Sequence, residues 1–277
     1  MNTYDFNTME GNEYKNNARN HWNAAPCDSK MVSGDMTLLG KSYFDQVEEA
    51  RYKDQPWLLE EIERLDVNNK QVLEVGYGMG TDHLKLAERG GVMHGITITP
   101  EDKKIIEHRF EIYGYHTEAI VGDAEKMPYK NSQFDFVYSF GVIHHCPNFE
   151  KVLDEVYRVM KPGAQAYLAI YNKNSMFFWW TVFLWDYLRH FKFLKMKLKE
   201  RLSLIEYPNN DKTLVVKLLT KKEFVRKLKQ SGFVIKRIHI AHLNRASITH
   251  DEWFSDGFIK KYEEKLGWYL VAEVEKF

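Results

Sequence analysis

The sequence holds only two cysteines, Cys27 and Cys146, far apart and in no zinc-ligand spacing. That excludes a disulfide framework and a cysteine-built metal site, and it suits a reduced, intracellular chain. Charge of one sign is also lacking, since 39 basic residues balance 39 acidic ones. No global field therefore draws the chain to nucleic acid. No apolar run is long enough to cross a bilayer. The longest, Met176 to Trp185, falls well short of the ~20 mostly apolar residues that a spanning helix needs. The opening residues Met1-Asn2-Thr3-Tyr4-Asp5 are polar and carry no apolar signal core, so a cytoplasmic location is expected rather than secretion. Repeats and low-complexity tracts are missing too. Rings are abundant instead: 14% of residues are aromatic, many of them between 177 and 193 or in the C-terminal stretch.

The 277 residues suffice for one large α/β domain or two small ones. The organising stretch is Gln71-Val72-Leu73-Glu74-Val75-Gly76-Tyr77-Gly78-Met79-Gly80. A short apolar run breaks into three glycines at alternate positions, and a helical pattern with Leu84, Leu86 and Ala87 follows. This reads as strand, tight turn, helix. Glycine accepts positive φ and has no Cβ, so such a turn lets backbone approach a ligand closely. The spacing is not G-x-G-x-x-G, which argues against a dinucleotide pyrophosphate site.

Before this turn, residues 1–35 show little periodicity and predict an irregular arm, with Trp22, Pro26 and Cys27 packing on the core or elsewhere. Two helices follow, around Tyr43 to Val47 and Pro56 to Leu65. After it, strands are expected at Gln71–Val75, Val92–Ile98, Thr117–Val121, Phe134–Phe140 and Gln165–Tyr171. Pro100 with Glu101 and Asp102 starts a helix favourably for its dipole. A helix over Phe149–Met160 stops at Lys161-Pro162-Gly163. Residues 173–219 interrupt the rhythm with an aromatic and then basic segment, read as a helical insertion. Thr220 and Glu223 have capping-box spacing. Strands at Phe233–Ile240 and Gly267–Val274 end the pattern. Alternating strands and helices imply a parallel sheet whose ligand sits at the strands' carboxyl ends.

Further stretches turn this generic cradle into a resemblance. They are Val121-Gly122-Asp123-Ala124-Glu125-Lys126-Met127-Pro128, Phe134-Asp135-Phe136-Val137-Tyr138-Ser139, Gly141-Val142-Ile143-His144-His145 and Arg158-Val159-Met160-Lys161-Pro162-Gly163. In this order and spacing the chain resembles the class I S-adenosylmethionine-dependent methyltransferases of the small-molecule type, the methyltransferase type 11 domain. The likeness spans roughly residues 70–172. It implies a Rossmann-like α/β fold with a seven-stranded, mostly parallel sheet, helices on both faces and the last strand antiparallel. It also implies S-adenosylmethionine as cofactor and S-adenosylhomocysteine as product.

The resemblance assigns roles position by position. Glu74, Gly76, Gly78 and Gly80 frame the methionine part, with Tyr77 between them. Asp123 accepts from the adenine amino group, Ala124 lends a backbone N–H, and Glu125 belongs to the same turn. Ser139 and Phe140 flank the sulfonium. One position departs. An acid commonly ends the second strand to hold the ribose, and here Thr97 stands there, which can serve only one ribose oxygen. The Gly95-Ile96-Thr97-Ile98-Thr99-Pro100 form is similar to sterol and tocopherol methyltransferases and cyclopropane fatty acid synthases, a hint of a lipid-like acceptor. No metal site is expected.

His144 and His145 stand at the mouth of the expected site as candidate bases; the bland alternative packs one of them to orient the loop. Tyr171, Asn172 and Trp179 are candidates for the acceptor pocket. Arg51 and Tyr52 are candidates for the cofactor carboxylate, against a plain surface-helix reading. Glu74 has the alternative reading of a plain solvated or turn-capping acid, and for Asp135 that is the preferred one. The insertion has three readings: a helical cap completing the core, a lid over an apolar acceptor, or an amphipathic element in peripheral membrane contact through 176–201.

The resulting organisation is an arm and cap helices over 1–66, a cofactor-binding core over 67–172, the insertion over 173–219, and the rest of the core sheet over 220–277. The expected function is methyl transfer to a small apolar, aromatic or lipid-like acceptor of secondary metabolism. Two other classes stay open. One is a non-catalytic interaction module on the same fold, and the other is a methyltransferase acting on a macromolecule. Neutral charge and Ser139-Phe140-Gly141-Val142 in place of an Asn/Asp-Pro-Pro-Tyr/Phe tetrad argue against nucleic acid.

Overall fold

The computed structural model describes residues 13–24, 26, 40–206 and 215–277. Cys27, the remainder of the expected irregular arm up to residue 35 and part of the insertion lie outside the described residues. Seven strands form one sheet: β1 (Gln71–Val75), β2 (Val92–Thr97), β3 (Thr117–Val121), β4 (Phe134–Phe140), β5 (Met160–Tyr171), β6 (Phe233–Ala241) and β7 (Tyr269–Lys276). Their order is β3-β2-β1-β4-β5-β7-β6, with β7 antiparallel to both of its neighbours. The chain starts at β1, winds one way to β3, then returns to β4 on β1's other side. That reversal places the switch point between β1 and β4.

Strand alternation sorts β1 to two faces. Leu73 and Val75 join a core with Val152 and Val156 of α6 (Phe149–Val159) and with Phe224 and Leu228 of α8 (Lys221–Gln230). Val72 joins Leu58 and Ile62 of α3 (Pro56–Arg64), Leu84 and Leu86 of α4 (Thr81–Glu88) and Ile106 and Phe110 of α5 (Pro100–Tyr113). A near-continuous apolar strand is what burial on both faces requires.

The helix ends follow local chemistry. Thr220 and Glu223 close the expected capping box, each side chain accepting from the other's backbone N–H. Pro100 sits at the start of α5, and Gly114 at φ +74° ends it. α6 ends at Val159, one residue short of the expected Met160, and Lys161-Pro162-Gly163 lies inside β5, which begins at Met160 rather than at Gln165.

Two expectations are corrected here. Residues 13–24, expected to be irregular, form a helix, α1 (Glu13–Ala24). Its weak intrinsic propensity is offset by packing of Tyr14, Ala18 and Trp22, spaced four apart on one face. The aromatic part of the insertion is not an α-helical stripe but a π-helix, Phe177–Leu188, with only Phe178 and Val182 buried. A short turn over Lys192–Leu194 and α7 (Leu198–Glu206) follow it. No helix of the described residues is long and apolar enough to cross a membrane.

Candidate functional site

A cavity of about 450 Å³ opens at the carboxyl edge of the sheet. Its walls come from the segments after β1 to β4, from the end of β5, and from α1 and α7 laid across them. It falls within the size range of small-molecule sites.

The floor is the glycine turn. Gly76, Gly78 and Gly80 all have positive φ, at 77°, 49° and 77°. A Cβ on Gly76 would lie 2.5 Å from both methyls of Val142. The turn thus brings the β1 and β4 loops into contact, which no larger residue allows. Gly76, Tyr77 and Gly78 line the cavity. Gly80 does not: it starts α4 and backs onto Ile106, with a Cβ position 2.8 Å from Cγ1.

Glu74 lines the cavity and is held from behind by His83, whose Nδ1 lies 2.8 Å from its carboxylate. Burial lowers the pKa of His83 to about 3, so the ring is neutral. A carboxylate only accepts, so Nδ1 carries the proton and Nε2 accepts from the Thr117 hydroxyl at 2.8 Å.

At the end of β2, Thr97 shares a buried network with Thr99 and Asp102. Thr97 donates to Asp102 Oδ2 at 3.1 Å, and Thr99 donates to the same oxygen. The other oxygen, Oδ1, is buried with no hydrogen-bond partner, and Asp102 lines the cavity. Burial raises the Asp102 pKa to about 6, against lowering by the two threonines. Sequence reasoning read Asp102 only as an acid suited to a helix start. Its residue type and first-turn position were the available signal, but its aim into the cavity was not.

After β3, Asp123, Ala124 and Glu125 line the cavity. Asp123 Oδ1 accepts from the Glu125 backbone N–H at 2.9 Å. Lys15 of α1 bridges the pair, 2.5 Å from Asp123 Oδ2 and 3.0 Å from Glu125 Oε2. Those partners raise the lysine's pKa against its burial. Nothing in the sequence pattern singled out Lys15.

The β4 loop divides the expected residues. Phe140 lines the cavity, with its ring 4.7 Å from that of Tyr269. Ser139 does not, because successive strand residues face opposite ways. It is fully buried and donates to the Val75 carbonyl at 3.0 Å, tying β4 to β1. The histidines separate as well. His145 lines the cavity, and its Nδ1 lies 3.2 Å from the Val215 carbonyl. His144 does not line it. Its ring is fully buried, 3.8 Å from that of Tyr171 between centroids, and neither nitrogen has a hydrogen-bond partner. Burial drives its pKa well below the ordinary range. It therefore fits the packing role rather than that of a base.

Burial also lowers the pKa of His145, while the Glu206 carboxylate, 3.7 Å from Nε2, and the Val215 bond raise it. Glu206 lines the cavity and accepts from the Tyr171 hydroxyl at 2.8 Å. Tyr171 lines the cavity too. Sequence reasoning missed Glu206, which sits in a charged helix without a motif. Cys146 also borders the cavity, but burial pushes its thiol up to about 12, so it is no nucleophile.

Two expected acceptor residues are elsewhere. Asn172 is buried outside the cavity, donating to the Gly267 carbonyl at 2.9 Å and accepting from the Asn174 N–H. It fixes the turn after β5. Trp179 stands on the solvent side of the π-helix, 47% exposed, while Trp180 turns inward and donates to the Thr249 carbonyl at 2.7 Å. Asp135 holds the Gln71 N–H and Lys161 away from the site. Arg51 lines the cavity, and both it and Tyr52 bind Asp82. Arg51 makes bonds of 2.8 and 2.6 Å, Tyr52 donates at 3.1 Å, and Tyr138 adds one at 2.9 Å.

Comparison with known proteins agrees with this geometry. Residues 73–168 match the methyltransferase domain family. Over that segment the chain is similar to this family. The matched segment runs from within β1 to within β5 and includes the loops after β1 to β4 that line the cavity. A sterol 4-C-methyltransferase of Caenorhabditis elegans is 33% identical over 106 residues, 37% of this chain and 32% of that protein. A phthiotriol/phenolphthiotriol dimycocerosates methyltransferase of Mycobacterium leprae is 32% identical over 119 residues, 42% and 43% of the two chains. The match thus spans less than half the length of either relative. A solved S-adenosylmethionine-dependent methyltransferase from Methanosarcina mazei shares the fold, with TM-score 0.56 over 78% of this chain and 95% of that one at 21% identity.

Proposed function

We propose that the protein transfers a methyl group from S-adenosylmethionine to a small, apolar or lipid-like acceptor. The observation that carries this reading is the cavity itself. Gly76 and Gly78, Asp102, and Asp123 converge on it from three separate segments, at the sheet's carboxyl edge. The residues fit the cofactor on two structural grounds. Gly76 and Gly78 line the cavity with positive φ, so the turn presents backbone without a side chain to a ligand. Asp102 Oδ1 is a buried acceptor that needs a donor, as a ribose hydroxyl is.

In this reading the glycine turn with Glu74 and Tyr77 holds the amino-acid end. Thr97 and Asp102 hold the ribose, and Asp123, Ala124 and Glu125 hold the adenine. When bound, S-adenosylmethionine supplies an electrophilic methyl carbon on its sulfonium. The chain's own work is then orientation, water exclusion and proton handling. Phe140, Tyr171 and Tyr269 wall the acceptor side with rings. His145 donates through Nδ1 to Val215, which leaves the Nε2 lone pair on the Glu206 side. A hydroxyl or amine acceptor loses its proton to Nε2, and the Glu206 carboxylate stabilises the imidazolium. The sterol and phthiotriol substrates in the names of the two relatives support an apolar, lipid-like acceptor.

Calorimetry with S-adenosylhomocysteine tests the reading: a saturable heat is expected, and no binding at millimolar ligand sinks it. A screen of acceptors by product mass then identifies the substrate.

A further inference from the structure

Among the described residues, ten large apolar side chains are exposed, and five lie between 179 and 194: Trp179, Leu184, Phe191, Phe193 and Leu194. The extremes are Leu194 at 75% and Phe191 at 62%. Scattered single exposures need no explanation, but a cluster does. Three of the five, Phe191, Phe193 and Leu194, sit on a turn that the chain holds against strain. Phe191 has φ +52°, a conformation that bulky residues rarely adopt. Strained backbone persists only where its surroundings over-determine it. Here Asp186 accepts from Lys192 at 2.5 Å and from Arg201 at 2.9 Å, and the Tyr187 hydroxyl donates to the Met196 carbonyl at 2.9 Å. These polar ties lie beneath the turn and keep the apolar side chains outward.

Charge surrounds the tip. Asp186 pairs with both Lys192 and Arg201, which leaves the trio net positive. Lys195, Lys197 and Lys199 are exposed and have no ion-pair partner among the described residues. An apolar tip followed by three exposed lysines matches a surface that is anionic outside and apolar a few ångströms deeper.

We propose that this tip docks on an anionic lipid bilayer surface. Phe191, Phe193 and Leu194 enter the boundary between headgroups and acyl chains, and Lys195, Lys197 and Lys199 meet the anionic headgroups. The tip connects to the cavity. Helix α7 begins within the basic tract and ends with Ile205 and Glu206 on the cavity wall. Its length is about 13 Å at the α-helical rise. A lipid-like acceptor would thus be taken up from the membrane beside the site. That link rests on the proposed lipid-like acceptor, whereas the docking rests on the surface alone.

The test is co-sedimentation of the full chain with phosphatidylserine-containing vesicles and with pure phosphatidylcholine vesicles, at low and high salt. Binding to the anionic vesicles is expected, reduced about tenfold or more by high salt. A Phe191→Ser/Leu194→Ser variant loses binding on all vesicles. A Lys195→Gln/Lys197→Gln/Lys199→Gln variant loses the salt-sensitive part. S-adenosylhomocysteine affinity, measured on the same samples, stays unchanged and reports that both variants fold. No binding to anionic vesicles, equal binding to neutral ones, or binding that neither variant reduces overturns the docking. So does a dimer of the wild type that the Phe191→Ser/Leu194→Ser variant abolishes, since a second copy then covers the tip. Vesicle binding without S-adenosylhomocysteine binding keeps the docking and sinks the methyl-transfer reading instead.

Discussion

Thr97, at the end of β2, donates its hydroxyl to Asp102 Oδ2 across 3.1 Å, in the first turn of the following helix. The strand end lacks the acid that would hold a ribose, and the helix brings a carboxylate to the same place. The arrangement leaves Asp102 buried on the cavity wall, with one oxygen partnered and the other without a hydrogen-bond partner.

Its burial makes the site sensitive to pH. Burial pushes the Asp102 carboxyl up to about 6. Ribose hydroxyls donate best to the ionised form, so S-adenosylhomocysteine affinity is greatest above that value. It falls by up to about tenfold for each pH unit below it. Asp102→Asn flattens the profile. Equal wild-type affinity at mildly acidic and mildly alkaline pH would remove Asp102 from the site.

Stability shows the opposite sign. The folded pKa is raised above the ordinary 3.8. The neutral carboxyl's contribution is therefore fully present below the unfolded value and is lost as pH rises through about 6. The loss amounts to up to about 3 kcal/mol. Asp102→Asn should gain on the wild type between acidic and mildly alkaline pH in urea unfolding. A constant gap across that range contradicts this.

Lys15 pairs with both Asp123 and Glu125. If the adenine amino group donates to Asp123, the ion pair competes with it. Lys15→Ala is expected to tighten S-adenosylhomocysteine binding by about 3- to 10-fold, the scale of one partly buried pair. Weaker binding in the variant would make α1 a wall of the site rather than a competitor.

Gly76 and Gly141 separate two effects that sequence alone merges. Both have positive φ, 77° and 72°. A Cβ at Gly76 meets Val142 at 2.5 Å, whereas at Gly141 it meets nothing within 4 Å. Gly141→Ala should cost about 1–2 kcal/mol from backbone strain. Gly76→Ala adds overpacking, for a total of about 2–4 kcal/mol. Denaturant midpoints of the two variants measure the difference, and equal losses would show that the loops separate freely.

The adjacent histidines should behave differently. His144→Phe removes two buried nitrogens without partners, so stability changes by less than about 1 kcal/mol and turnover persists. His145→Gln leaves the wall in place but removes the base, lowering kcat by about 10²- to 10⁴-fold on a hydroxyl or amine acceptor. Full turnover in His145→Gln would point to an acceptor that needs no deprotonation.

The sequence by itself determined the sheet and its cofactor edge. Strand runs, the glycine turn and the breaker after α6 are local signals, and their physical cause, backbone conformation or alternating burial, lies within a few residues. It also placed Gly76, Gly78 and Asp123 on one edge, because parallel strands carry their carboxyl ends together. Only the tertiary structure decided which face a given side chain takes. Ser139 and His144 turn into the core beside neighbours that reach the cavity, and Trp179 turns to solvent where Trp180 turns in. Lys15, Asp102 and Glu206 arrive on the cavity from helices, one of them more than a hundred residues away from Asp123. Such meetings arise from packing between distant segments, which leaves no pattern at the residues themselves.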